Sequence, residues 1–321
     1  MWLAFAFLSA LLLGFYDVFK KMSLSRNAVI PVLTLNVLFS SLLFLPFIVL
    51  SAQGIIKEDA LVHVPVYGWE EHKYIIGKSL IVLSSWLFGY WGIKNLPITI
   101  VGPINATRPV MVLIGALTLF GEHLTLFQWL GVITAMIGLW LLSRSGKKEG
   151  IDFKHNKWIV FVLLSNILGA LSGLYDKYLM APPENGGIGL DKMAVQSWFN
   201  IYQLGMMSIV SLLLSPSQGG GTPSQPNPQK NLKRFRLPLL KEGIGVVFLI
   251  SLFLSAADFC YFYSLSLDGA MISIVSMIRR GSVIVSFLCG ALAFHEKNLK
   301  AKAIDLLLVL LSMLFLFIGS R

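Results

Sequence analysis

The sequence predicts an all-α polytopic membrane protein of about ten transmembrane helices, arranged as two inverted five-helix repeats. Three observations lead there. Hydrophobic residues make up 56 % of the chain against 13 % charged, and mean hydropathy is +0.75, so there is too little polar surface to cover a water-soluble domain. The apolar residues fall in continuous Leu-rich runs of about 18 or more, the length at which a helix crosses a hydrocarbon core, without the alternation of a β-barrel. A short pattern also occurs twice, as Gly14-Phe15-Tyr16-Asp17 and Gly173-Leu174-Tyr175-Asp176, each towards the far end of an apolar run.

Spans are predicted over residues 2–22, 28–52, 74–93, 98–120, 125–143, 158–180, 193–215, 243–266, 270–294 and 300–320. The first run reads as a span and not as a signal peptide, because Lys20 and Lys21 follow its apolar stretch instead of preceding it. Residues 53–73 form a mixed-charge loop containing Glu70-Glu71. Residues 216–242 are rich in Gly, Pro, Ser and Gln and end in Lys233-Arg234-Phe235-Arg236, the composition of a flexible linker with a basic end. The basic loop 147–157 separates a first repeat, 1–146, from a second, 158–321. Five spans per half make the second half enter the bilayer from the opposite face, which inverts it. Gly121-Glu122-His123 and His295-Glu296-Lys297 close the fourth and ninth runs. These landmarks pair helix one with six, three with eight, four with nine and five with ten.

The formal net charge of +10 does not indicate nucleic-acid binding, because the charges lie in short loops. Loops after odd-numbered helices are basic, whereas those after even-numbered helices, with the C-terminus, carry only Lys57, Lys73, Lys192 and Arg321. That bias places the odd loops in the cytoplasm, facing anionic headgroups, and both termini outside. Cys260 and Cys289 fall inside predicted helices without metal-type spacing and read as small apolar filler.

Gly121-Glu122 ending helix four before Gly131 and Gly138, within a five-plus-five duplication, resembles the EamA group of the drug/metabolite transporter superfamily. The resemblance covers nearly the whole chain and implies movement of small metabolites by export, import or exchange. A narrower likeness lies in Ile278-Arg279-Arg280-Gly281-Ser282-Val283-Ile284-Val285-Ser286-Phe287, which resembles the ninth helix of the triose-phosphate translocator branch. There a Lys-Arg pair, helped by a Lys on helix four, binds phosphate. Here the matching positions are Arg279, Arg280 and Arg108, and the remaining site residues of that branch find no match.

A charge inside a span costs about 2.5–3.5 kcal/mol at a helix centre, so intramembrane charges point to function. Arg108 on helix four, Asp258 on helix eight, and Arg279 and Arg280 on helix nine stand out. Guanidinium groups are permanently charged and bind carboxylate or phosphate in a bidentate fashion. Arg108, Arg279 and Arg280 are therefore the candidate anion clamp. The opposing interpretation is that Asp258 pairs with Arg279 or Arg280 to lock the helices. Asp258 is also a candidate proton carrier, since a carboxylate in a dry cavity has a raised pKa, whereas an adjacent Arg keeps it ionised. Asp17 and Asp176, with Tyr16 and Tyr175, are expected to be interfacial gates or anchors, with Lys20, Lys21 and Lys177 as the nearby salt-bridge partners. Trp86 and Tyr90 share a face of helix three, and Tyr261 shares a face with Asp258; all three are candidate pocket walls. Asn105, Asn166 and Asn200 are candidate hydrogen-bonding groups or interhelical glue. Pro97, Pro103 and Pro109 break helix four around Asn105 and Arg108, a device that lines cavities in transporters.

The sequence has no phosphate-binding G-x-x-x-x-G-K-[ST] loop, and His295-Glu296 lacks the second His of a zinc helix. The expectation is therefore a non-enzymatic carrier without cofactor or metal, in the cell (inner) membrane, as monomer or homodimer. Its partners would be the lipid bilayer and a small organic or phosphorylated anion, with a proton or counter-substrate as further candidates. The alternative is an exporter of neutral or zwitterionic metabolites with the arginines structurally paired.

Overall fold

A computed structural model of the chain describes residues 2–108, 110–112, 125–147, 155–180, 183–214, 243–265, 267, 275, 278–293 and 299–319. Ten α-helices lie among these residues. In the first half they are α1 (Trp2–Arg26), α2 (Val29–Ala52), α3 (Trp69–Asn95), α4 (Ile98–Ala106) and α5 (Leu126–Lys147). The second half contributes α6 (Lys157–Met180), α7 (Lys192–Leu214), α8 (Ile244–Leu265), α9 (Ser282–Ala293) and α10 (Leu299–Gly319). Pro109, Gly121-Glu122-His123, His295-Glu296-Lys297 and the 216–242 linker lie outside the described residues.

The helix ends have local causes. α3 begins at Trp69 and not at 74, because Glu70 and Glu71 belong to its first turn and not to the loop. The Gly68 N–H donates to Glu71 Oε2 at 3.0 Å, and both carboxylates sit at the positive end of the helix dipole. Asn156 Oδ1 accepts the Trp158 N–H at 2.9 Å and starts α6. Asp191 Oδ1 accepts the Met193 and Ala194 N–H groups at 2.7 and 3.2 Å and starts α7. α4 carries Pro103 within it and stops at Ala106; Thr107 Oγ1 donates to the Ile104 carbonyl at 2.7 Å, and helical backbone resumes at Arg108.

Large apolar side chains lie outside as well as in the core: Phe7 is 62 % and Leu213 72 % exposed, while the interior mixes fully buried Leu24, Leu33 and Ile75 with polar Asn36, Asn166 and Gln203. An apolar exterior is what a hydrocarbon solvent selects. α1, α2, α6 and α8 are each long and apolar enough to cross a bilayer; α3 is less hydropathic because it carries Glu70, Glu71, Lys73, Lys78 and Lys94.

The helices pair across the two halves. α1 packs on α8 and α3 on α6, while α2 meets α7, α4 meets α9 and α5 meets α10. Exchanging one with six and three with eight converts the first contact into the second, and the other three map onto themselves. This is the reciprocity that a two-fold relation between inverted repeats requires. Because lipid offers no hydrophobic drive, close approach and interhelical hydrogen bonds hold these pairs. Ser9 Oγ donates to the Ala257 carbonyl at 2.6 Å across α1–α8. Ser85 Oγ donates to the Ser165 carbonyl at 2.8 Å across α3–α6, and Ser41 Oγ to the Asn200 carbonyl at 2.9 Å across α2–α7. Gly14 of α1 and Gly102 of α4 lie against Val285 and Val283 of α9, with no room for a Cβ.

Gly14→Leu is therefore expected to lower the melting temperature in detergent by several degrees, through displacement of α9. Ser9→Ala should cost roughly 0.6 kcal/mol, the average for an interhelical hydrogen bond in a membrane protein. Thermal unfolding of the purified variants checks both, and a wild-type melting temperature for Gly14→Leu would contradict the close α1–α9 contact.

Candidate functional site

The crossing helices enclose a central cavity of about 170 Å³. Its walls come from α1, α3, α4, α6, α8, α9 and the Arg279–Arg280 segment, with Phe199 added from α7. Eight charged side chains line it: Asp17, Lys20, Lys78, Arg108, Asp176, Asp258, Arg279 and Arg280.

Three carboxylates each hold one cation. Lys20 Nζ lies 2.7 Å from Asp17 Oδ1 and 4.2 Å from the Tyr16 ring centroid. Lys78 bridges to Asp176, with side chains only 3 % and 8 % exposed, and rests 5.2 and 5.1 Å from the Phe199 and Phe262 rings. Arg279 bridges to Asp258 through Nη2, and its guanidinium carbon sits 4.4 Å from the Tyr261 centroid. Breaking such a buried pair by removing one partner leaves an uncompensated charge and costs about 3–5 kcal/mol. These pairs are therefore part of the wall.

Arg108 and Arg280 have no carboxylate partner among the described residues. Arg108 Nε donates to Asn166 Oδ1 at 2.9 Å. Arg280 Nε is buried without a hydrogen-bond partner. Five basic groups face three acidic ones, so the described wall carries a surplus of two positive charges.

Trp86, Tyr90, Asn105, Asp258, Tyr261 and the three arginines all line this one cavity, together with Tyr16 and Asp17. Asp17 and Asp176 both face the cavity, and Asp176 is 6 % exposed. Several expectations need correction. Asp176 takes Lys78 from a neighbouring helix as partner, not the adjacent Lys177. Lys21 does not approach Asp17; its Nζ donates to the Ile93 and Leu96 carbonyls, both at 2.7 Å. Tyr175, a gate or anchor candidate, donates its hydroxyl to the Tyr74 carbonyl at 3.3 Å, outside the cavity wall, which leaves that expectation open. Asn200 donates to the Gln196 carbonyl within its own helix and does not line the cavity. Lys78 escaped sequence reasoning altogether. Its position inside the third apolar run, between Gly77 and Ser79, was the available signal.

Residues 1–144 match the family model described as the EamA-like transporter family. A search of curated proteins finds no match. A solved structure titled "Crystal structure of protein" is similar with a TM-score of 0.58 and 14 % identity, covering 98 % of each chain; at that identity the likeness concerns the fold alone. The first half of this integral multi-pass membrane protein is thus similar to the EamA-like transporter family over residues 1–144.

Proposed function

We propose that this protein is a secondary carrier for a small organic anion bearing two negative charges, such as a phosphomonoester or a dicarboxylate. The observation that carries this reading is the pairing pattern in the cavity wall. Of the arginines there, Arg279 is neutralised by Asp258, while Arg108 and Arg280 are left over. Holding two uncompensated guanidinium groups at the bilayer waist is costly, and a doubly charged solute bound between them removes that cost. Bidentate geometry suits either phosphate or carboxylate oxygens. The cavity is close in size to the ~150 Å³ void that accepts benzene, which favours a solute of about ten non-hydrogen atoms or fewer. Trp86 and Tyr261 offer flat apolar surface for its carbon body.

The inverted repeats supply the route. α1 and α6 enter from opposite faces, and each carries its Tyr-Asp element towards its C-terminal end. Asp17–Lys20 therefore lies towards one face of the membrane and Asp176–Lys78 towards the other. We assign these pairs as the two gates that open in turn while the arginines stay central.

Counterflow in proteoliposomes tests the reading, with inorganic phosphate and succinate as doubly charged probes and lactate as the singly charged one. Saturable exchange of phosphate or succinate in preference to lactate is expected. Arg108→Ala and Arg280→Ala should each weaken apparent affinity about 10- to 150-fold, the value of a lost charge-assisted hydrogen bond of about 1.5–3 kcal/mol. Exchange indifferent to both substitutions would support neutral or zwitterionic solutes instead, and flux that never saturates would support a channel. Asp258→Asn is expected to leave the pH profile of succinate exchange unchanged, because Asp258 serves as the counter-charge of Arg279. A profile that flattens in this variant would assign it proton carriage.

A further inference from the structure

Arg108 does not stand free in the cavity; two residues of α6 set its direction. Asn166 is fully buried, and each end of its amide is used. Its Nδ2 donates to the Ile104 carbonyl at 2.6 Å, at the place where α4 breaks, and lies 3.4 Å from Thr107 Oγ1. Its Oδ1 accepts from Arg108 Nε at 2.9 Å. That is the one side-chain hydrogen bond Arg108 makes among the described residues, none of which accepts from Nη1 or Nη2. One turn further along α6 comes Gly169. A Cβ built there would collide with Cζ, Nη1 and Nη2 of Arg108, so the guanidinium lies flat on bare backbone.

The geometry points to Asn166 and Gly169 as positioning residues that hold the Arg108 fork edge-on to the anion; this rests on the anion-carrier reading above. A neutral acceptor on Nε fixes the plane of the guanidinium without consuming its charge. A carboxylate in the same place would neutralise Arg108 and reduce the wall's surplus to one. Arg280 has no such support. On the register that aligns Gly14 with Gly173, the α1 residue corresponding to Asn166 is Phe7, which is exposed on the outer surface, and Arg280 Nε is unpartnered. Arg108 is thus the fixed jaw of an asymmetric clamp and Arg280 the adaptable one.

Two measurements on the full chain test this. The first is the rate of phenylglyoxal modification at Arg108 and at Arg280, resolved by peptide mass spectrometry, and it needs no solute. Asn166→Asp should slow modification of Arg108 about tenfold, because the new carboxylate engages the guanidinium, and leave Arg280 at its wild-type rate. The second is phosphate counterflow with Gly169→Ala. Its KM should rise on the order of tenfold through displacement of the fork, with maximal exchange rate and ligand-free melting temperature unchanged. Wild-type modification kinetics at Arg108 in Asn166→Asp, or a wild-type KM in Gly169→Ala, would overturn the positioning role. Slowed modification in Asn166→Asp together with unaltered phosphate exchange in Arg108→Ala would overturn the anion reading and leave the positioning geometry standing.

Discussion

The structure depends on the cost of leaving charge uncompensated in a medium that cannot solvate it. Eight charged side chains face one central cavity, and six are accounted for in pairs: Asp17 with Lys20, Asp176 with Lys78, and Asp258 with Arg279. Each pair offsets a desolvation penalty of several kcal/mol per ion only because its partner is close and aromatic rings lie alongside. Tyr16, Tyr261, Phe199 and Phe262 supply those rings. Against this nearly neutral background the remaining two arginines acquire their meaning, because among the described residues no carboxylate pairs with either.

The helical frame that creates this background is held together by small groups. Serine hydroxyls bond to carbonyls across α1–α8, α3–α6 and α2–α7, and glycines admit α9 to α1 and α4. Large apolar side chains cover the outside as well as the core, and polar residues sit among the buried apolar ones. Between α4 and α6, Asn166 links the two themes. It answers the Ile104 carbonyl at the break in α4 and presents an acceptor to Arg108 with its other end.

Much of this was legible from the sequence, and the parts that were not share a cause. Hydropathic runs placed the helices, because membrane length is a one-dimensional property. Arg108, Asp258, Arg279 and Arg280 could be picked out because a charge deep in a Leu-rich run has few explanations. Lys78 was passed over although it lies inside the third run, because Glu70, Glu71 and Lys73 just before that run make a further lysine resemble another interfacial charge. Asp176 was referred to Lys177 because sequence proximity suggests a partner, whereas the actual partner comes from α3, ninety-eight positions away. Tyr16 and Tyr175 look equivalent in the repeat, yet one lines the cavity and the other reaches the Tyr74 carbonyl. A duplicated motif fixes where a residue starts from, and the helices around it fix where it points.

The two carboxylate–lysine pairs are built differently. Asp17 is bridged from within α1, three residues along the same helix, whereas Asp176 is bridged from α3 across a helix boundary. A tie within one rod travels with that rod, while a tie between two rods resists their separation. On the carrier reading the two doors therefore differ in stiffness, so the two open states of a nearly symmetric scaffold are unequally populated, while net flow still follows the gradient.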